Sequence, residues 1–469
     1  MYALVGIIGL MVSIYVRPYE WNADFARLPF LQVCCALALI GLGIDIGTKR
    51  TRLITSPMLP FCVFFVFWCI VTLTISAADK VVANSVPIFI SLLLFLLISL
   101  GVQTVKAFTR LVLTIFALGL FVAYVGADQG LNQHACHILL PQDDPRRPIL
   151  DGRSCQGTEE LKQEEAVSLC YEGPDAKDVY YGCEKPGLFA TSSIEGRVRY
   201  LGVLNDPNEL ALATSLALPI AFAFFEMKRS AARLLLLLFG VGLVALEVVF
   251  TQSRGGQLVF AVVLGAYFVR KYGIKRGLAI AGAMVVPLLA VGGRSGDSAD
   301  QSALERLEAA GAAIHLLLSY PIRGGGYSQF QEHHPITAHN AYLLAAGELG
   351  WPGLLAFVSI LYLCAKTTVN VLRFEFDADD LEGAKMKSLA MAMLAVFCGI
   401  GIGIFFLSWT YHFILWIHFG LAGALYGVMK TNYPSFQVKM TWKEFVALFV
   451  MWAGILTALT IHIIRKKCW

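Results

Sequence analysis

The sequence predicts an all-α polytopic membrane protein with about 12–13 transmembrane helices and two large loops on its outer side. Three observations predict it. Of 469 residues, 57% are hydrophobic and only 15% charged, with a mean hydropathy of +0.66, a composition that excludes an ordinary soluble domain. Apolar runs of about 17–25 residues recur along the whole length, each long enough to cross a bilayer core as a helix. Lysines and arginines alternate between the short connections as the positive-inside rule requires.

In chain order the apolar runs lie at 1–16, 28–46, 57–77, 84–105, 108–127, 207–226, 233–252, 256–269, 277–294, 339–365, 387–407, 410–429 and 444–464. No basic segment precedes the first, so it reads as a retained helix rather than a cleaved signal peptide. Lys49, Arg50 and Arg52 follow the second run, and Lys106 and Arg110 the fourth. Lys228, Arg229 and Arg233 follow the sixth, and Arg270, Lys271, Lys275 and Arg276 the eighth. These connections therefore belong on the cytoplasmic side with the N-terminus. The chain divides into N-terminal helices (1–127), a first periplasmic loop (128–206), central helices (207–294), a second periplasmic loop (295–338) and C-terminal helices (339–469). Arg465-Lys466-Lys467 dissents, because a thirteenth span would place it outside. The run 444–464 either lies in the interface or crosses against the rule.

Cysteine placement tests that topology separately. Cys34, Cys35, Cys62, Cys69, Cys364, Cys398 and Cys468 fall in spans or at the C-terminus, where a thiol serves as a small apolar side chain. Cys136, Cys155, Cys170 and Cys183 all sit in the first loop. An even number in an outer loop points to two disulfides in an oxidising periplasm, with three connectivities open. A zinc site is the rival, but no C-x-x-C spacing supports it.

The charged residues near the outer face carry the chemistry. Arg199 precedes Asn205-Asp206-Pro207-Asn208, just before the sixth run. Arg254 sits in the turn Thr251-Gln252-Ser253-Arg254-Gly255-Gly256, and Arg306 near the start of a short amphipathic helix in the second loop that runs to Pro321. His339-Asn340 opens the tenth run, and Gly350-Trp351-Pro352-Gly353 follows. Taken singly each has an ordinary role: an outer arginine anchors a helix end, and a histidine at a helix start caps it. Jointly they set guanidinium forks beside glycine turns on one surface, an arrangement suited to the oxygens of a diphosphate. His339 would accept a proton from an attacking hydroxyl. Asn340 would cap the helix or bind a substrate hydroxyl. Gly350 and Gly353, 11 and 14 positions on, would return to the same helix face and permit close packing, with Pro352 able to kink the helix. Glu247, seven residues before Arg254, reads as a structural partner for a neighbouring helix in preference to a catalytic group.

The pattern H-N-x9-G-x-x-G at His339–Gly353 resembles the bacterial O-antigen ligase and O-antigen polymerase superfamily. So do S-R-G at Ser253–Gly255, R-x-x-G…D-P-N at Arg199–Asn208 and P-x-x-G-x-G at Pro321–Gly326. The resemblance covers about 195–430; the earlier spans agree only in hydropathy, and the cysteine-rich loop is longer than the family leads one to expect. It implies a C-type glycosyltransferase-like fold and an inverting, metal-independent transfer without cofactor at the periplasmic face of the inner membrane. The donor would be a glycan on undecaprenyl diphosphate. Arg199, Arg254 and Arg306 would bind the diphosphate, and His339 would activate the acceptor hydroxyl, with Asn208, Ser253, Asn340, Gly350 and Gly353 in support.

Polymerase and ligase share this chemistry and differ in the acceptor, a second lipid-linked glycan or lipid A-core, so the sequence leaves the two open. A protein O-oligosaccharyltransferase is a further alternative. Chain-length regulators or flippases are candidate partners alongside membrane lipids, and nothing points to nucleic acid. A flippase or transporter is the non-enzymatic alternative, but it should carry polar groups near mid-bilayer in matching halves, whereas here they cluster at one surface.

Overall fold

The structure, a computed structural model, describes residues 1–21, 25, 27–139, 149–155, 180–291 and 297–466. Among these are fourteen α-helices. The first five are α1 (Ala3–Tyr15), α2 (Phe30–Gly47), α3 (Leu59–Ser76), α4 (Val81–Gly101) and α5 (Val105–Leu131). The central group is α6 (Pro207–Met227), α7 (Ala231–Phe250), α8 (Arg254–Tyr272), α9 (Ile274–Val291) and α10 (Asp297–Ser319). The last four are α11 (Ala341–Arg373), α12 (Leu381–Gly403), α13 (Phe413–Asn432) and α14 (Trp442–Arg465). Eleven of them, α1 to α7 and α11 to α14, are long and apolar enough to cross a membrane. The chain is an all-α polytopic membrane protein.

Two expected spans, 256–269 and 277–294, form helices but fall outside those eleven. Arg254, Arg270 and Lys271 all lie within α8 and lower its mean hydropathy, while the side chains of the second half of α9 lie outside those described. α8 is nevertheless central: Val259, Phe260, Val263 and Leu264 are buried, against α6 and α12. The bundle is organised around α13, of which 89% is buried, whereas α2 and α14 are 17% buried and peripheral. Phe65 of α3 lies 6.0 Å from the rings of Phe357, Tyr411 and Trp416, which ties α3, α11 and α13 together.

The position of α14, left open by the basic C-terminus, is decided by its contacts. Glu444 accepts from Tyr362 and Lys366, near the C-terminal end of α11. Further along, Phe449 packs 5.1 Å from Trp351, and Trp452 4.5 Å from Tyr342, near the start of α11. α14 thus runs antiparallel along the length of α11, and Arg465 ends up on the same side as His339.

α11 is broken near its middle. Gly350 has φ 64° and ψ −165°, a conformation essentially confined to glycine. The counting that set Gly350 and Gly353 on one face with His339 therefore fails, because a helical period does not run through the break. The kink lies at Gly350, just before Pro352. It strands three carbonyls, and each finds a partner as buried backbone oxygens must. Gly347 O accepts from Gly325 N (2.8 Å), Glu348 O from Gly326 N (2.9 Å) and Leu349 O from the Trp68 indole (2.8 Å). Trp351 N in turn donates to Pro321 O (2.9 Å). The P-x-x-G-x-G and G-x-x-G motifs are two halves of one interlock.

Within the first loop, β1 (Ala135–Leu139) lies between β2 (Ile149–Ser154) and β3 (Tyr180–Glu184), antiparallel to both. Cys155 and Cys183 form a disulfide, and Cys136 is also disulfide-bonded. Cys170 and Cys468 lie outside the described residues. β4 (Pro186–Gly187) pairs with β5 (Thr191–Ser192) in a short ribbon, and the chain then passes the end of α5 to reach α6.

Candidate active site

Helix starts build the site. Asp206 caps α6 by accepting from Asn208 N (2.7 Å), and Ser253 caps α8 by accepting from Gly256 N (2.9 Å). Asn340 caps α11 by accepting from Tyr342 N and Leu343 N, both at 3.0 Å. Each residue type is a good N-cap because a short side-chain oxygen reaches the orphan amides of the first turn. The starts of α8 and α11, with Asn208 of α6, surround a cavity of about 560 Å³. A helix N-terminus carries partial positive charge and unused N–H groups, so such a cavity favours an anion.

Three arginines line it from three elements: Arg197 before α6, Arg254 at the start of α8 and Arg306 of α10. Arg306 shares its helix face with Ala303, Leu307 and Ala310, the i, i+3, i+4 spacing of one stripe, and all four line the cavity. His339, Asn340 and Ser253 complete the polar wall, while Leu258, Leu343, Phe405, Phe406 and Leu459 make an apolar one.

Arg199 departs from expectation. It is not among the lining residues; its Nε donates to Ser192 O (3.0 Å) and its backbone N to Gln129 Oε1 (2.9 Å), so it braces the strap from the first loop. Arg197, two residues earlier, takes the cavity position. Its guanidinium donates to Thr251 O (2.9 Å) and Asn208 Oδ1 (3.4 Å), and Asn208 Oδ1 also accepts from the Ser253 hydroxyl. This network joins the starts of α6 and α8. Motif spacing favoured Arg199; the signal for Arg197 was the preceding Glu195-Gly196, a turn that redirects the chain.

His339 has φ +46°, in the left-handed region that a non-glycine residue adopts at some cost. Gln252, also on the cavity wall, has φ +49°. The backbone around His339 is pinned from the α12–α13 connection. Thr337 Oγ1 donates to Ser408 Oγ (2.8 Å), Ala341 N to Ile404 O (2.8 Å) and Thr410 Oγ1 to Ala341 O (2.7 Å). Burial lowers the His339 pKa from its ordinary value, the positive charge of Arg306 lowers it further, and Asp206 and Glu305 oppose. The imidazole is therefore neutral near pH 7 and able to accept a proton.

His412 shows the contrast. Its Nε2 donates to Val203 O (2.9 Å), its Nδ1 accepts from Ile414 N (3.3 Å), and it stacks on Trp409 at 4.2 Å. Both ring nitrogens are engaged and burial pushes its pKa down to about 4, so it is a structural histidine.

Glu348, which sequence reasoning passed over, is a buried carboxylate at the break in α11. It accepts from Phe330 N and Ser328 N, both at 3.0 Å, and from the Tyr411 hydroxyl (2.8 Å). It fixes the loop that returns from α10 towards His339. Glu247 accepts from Thr214 of α6 (2.8 Å) and is fully buried. The turn at 251–253 separates α7 from α8, so Glu247 and Arg254 lie on different helices and share no face. Gly350 and Gly353 lie outside the cavity lining. Among the described residues no group of three or more His, Cys, Asp or Glu is placed to hold a metal ion.

Residues 234–358 match the family model described as O-antigen ligase, which supports the superfamily resemblance carried by the motifs. The match takes in Ser253, Arg254, Arg306, His339 and Asn340 and leaves out Arg197 and Asn208. No curated protein matches the chain.

Proposed function

Starting from an O-antigen ligase-type segment that carries His339 and two of the cavity arginines, we propose that this cavity is the donor site of a periplasm-facing glycosyltransferase of the inner membrane. The donor is a glycan on undecaprenyl diphosphate, and the acceptor is a sugar hydroxyl of a second glycan or of lipid A-core. The observation that carries the reading is the convergence of Arg197, Arg254 and Arg306, from three separate elements, on a cavity that also holds a half-buried His339.

In the proposed step the acceptor oxygen attacks the anomeric carbon as the bond from that carbon to the diphosphate oxygen breaks. The acceptor proton passes to the His339 imidazole. The bonding pair leaves with the lipid diphosphate, whose growing negative charge faces the guanidinium groups and helix N-termini. Attack opposite the leaving group inverts the anomeric centre. A diphosphate is already a good leaving group, so positioning and charge stabilisation supply the acceleration without a metal ion or cofactor. The apolar wall of Leu343, Phe405 and Leu459 suits the first isoprene units. On this reading the protein is a C-type glycosyltransferase.

The test is transfer by purified protein supplied with undecaprenyl-diphosphate glycan. Longer lipid-linked chains identify a polymerase for lipopolysaccharide or exopolysaccharide; transfer to lipid A-core identifies a ligase. His339→Ala should abolish transfer while donor binding persists. Translocation in vesicles with no transfer to any acceptor would sink the reading.

A further inference from the structure

We propose that Glu184, in the first loop, is a positioning residue for the cavity, acting through Arg197; this rests on the donor-site reading above. Arg197 is delivered by a tight hairpin in which Ile194 N donates to Arg197 O and Arg197 N to Ile194 O, each at 2.9 Å. The two residues at its tip, Glu195 and Gly196, have φ +52° and +71°. Consecutive left-handed residues make a primed turn, which a non-glycine residue such as Glu195 enters only at a cost. The carboxylate of Glu184 stabilises that conformation. It accepts from Glu195 N (2.7 Å), Gly196 N (3.2 Å) and the buried Ser193 hydroxyl. The first residue after this turn is Arg197, whose guanidinium reaches Thr251 O and Asn208 on the cavity wall.

Glu184 is itself anchored. It ends β3 directly after Cys183, which is bonded to Cys155. Lys185 follows and donates to Gly130 O at the end of α5 (2.9 Å). A continuous strap therefore runs from the disulfide through Glu184 and the Glu195–Gly196 turn to Arg197. Arg254 and Arg306 are carried by the bundle's own helices, whereas Arg197 is aimed by the loop. The cysteine-rich loop is thus part of the donor site, and what it contributes is the direction of one guanidinium.

A double-mutant cycle read by binding of undecaprenyl diphosphate and by KM against kcat tests this. Arg197→Ala should weaken binding about tenfold, the worth of one charge-assisted contact. Glu184→Ala should weaken it comparably, with the same split between KM and kcat as Arg197→Ala, and Glu184→Gln, which keeps an acceptor oxygen for one of the two amides and sets an NH2 against the other, should recover only part of the loss. In the Arg197→Ala background Glu184→Ala should change binding less than about twofold, whereas with Arg254→Ala its effect should multiply. If Glu184→Ala does not fold, Ser193→Ala and Glu184→Gln perturb the same clamp more mildly in the same cycle. An undiminished effect in the Arg197→Ala background, or no effect of Glu184→Ala where Arg197→Ala has one, overturns the inference while leaving the donor site standing. No effect of either Arg197→Ala or Arg254→Ala overturns the donor site and the inference with it.

Discussion

Replacing Gly350 with alanine tests the interlock that holds the two halves of the site in register. A Cβ at this position would lie 2.4 Å from Ile322 O and 2.6 Å from both Ile322 C and Pro321 O, all backbone atoms that cannot rotate aside. The φ of 64° with ψ of −165° adds strain of about 1–3 kcal/mol for a residue with a side chain. Relief requires the 321–326 loop to move off α11. That breaks the bonds from Trp351 N to Pro321 O and from Gly326 N to Glu348 O, at about 1 kcal/mol each. The sum, about 3–5 kcal/mol, is a large share of a typical stability of about 5–15 kcal/mol. Denaturant titration of the detergent-solubilised protein measures it, with Gly454→Ala as the control. A Cβ at Gly454, in α14, meets nothing within 4 Å, so that variant should be neutral or stabilised by up to about 1 kcal/mol. Because the same loop links Arg306 of α10 to His339, transfer should fall together with stability in Gly350→Ala. A Gly350→Ala protein as stable as the control would refute the reasoning.

Arg306→Gln should move the acidic limb of the pH–rate profile to higher pH. Proton acceptance needs neutral His339, and the Arg306 charge is one of the forces lowering its pKa, so removing that charge raises it; a limb that stays put or moves to lower pH contradicts the assignment of His339 as base. Arg197→Ala should lower kcat/KM about tenfold or more, while Arg199→Ala, which loses its bond to Ser192 O, should mainly lower thermal stability. Equal kinetic losses in the two variants would show that the cavity wall is wrongly drawn. Lys366→Ala, which removes the ion-pair partner of Glu444 and leaves its bond from Tyr362, should loosen α14 and raise protease sensitivity near 442–446 without changing the pH profile.

The sequence by itself determined the class, the order of most spans and the superfamily resemblance. Composition and run length suffice for spans because a helix that crosses lipid must satisfy its own backbone and present apolar side chains. The cap Asn340 was legible for a similar reason: capping is local, reaching only two or three residues along the chain. Tertiary structure alone decided what depends on distant segments meeting. It set Arg197 rather than Arg199 on the cavity wall, just after a left-handed turn that is invisible to spacing. It broke α11 at Gly350, where carbonyls freed from a helix find amides on a loop more than twenty residues earlier. It carried α14 across the full length of α11 despite its basic end, since packing against Trp351 and Tyr342 settles what charge counting left open. Local rules read the parts of this site; only long-range hydrogen bonds and packing fixed which parts face the same cavity.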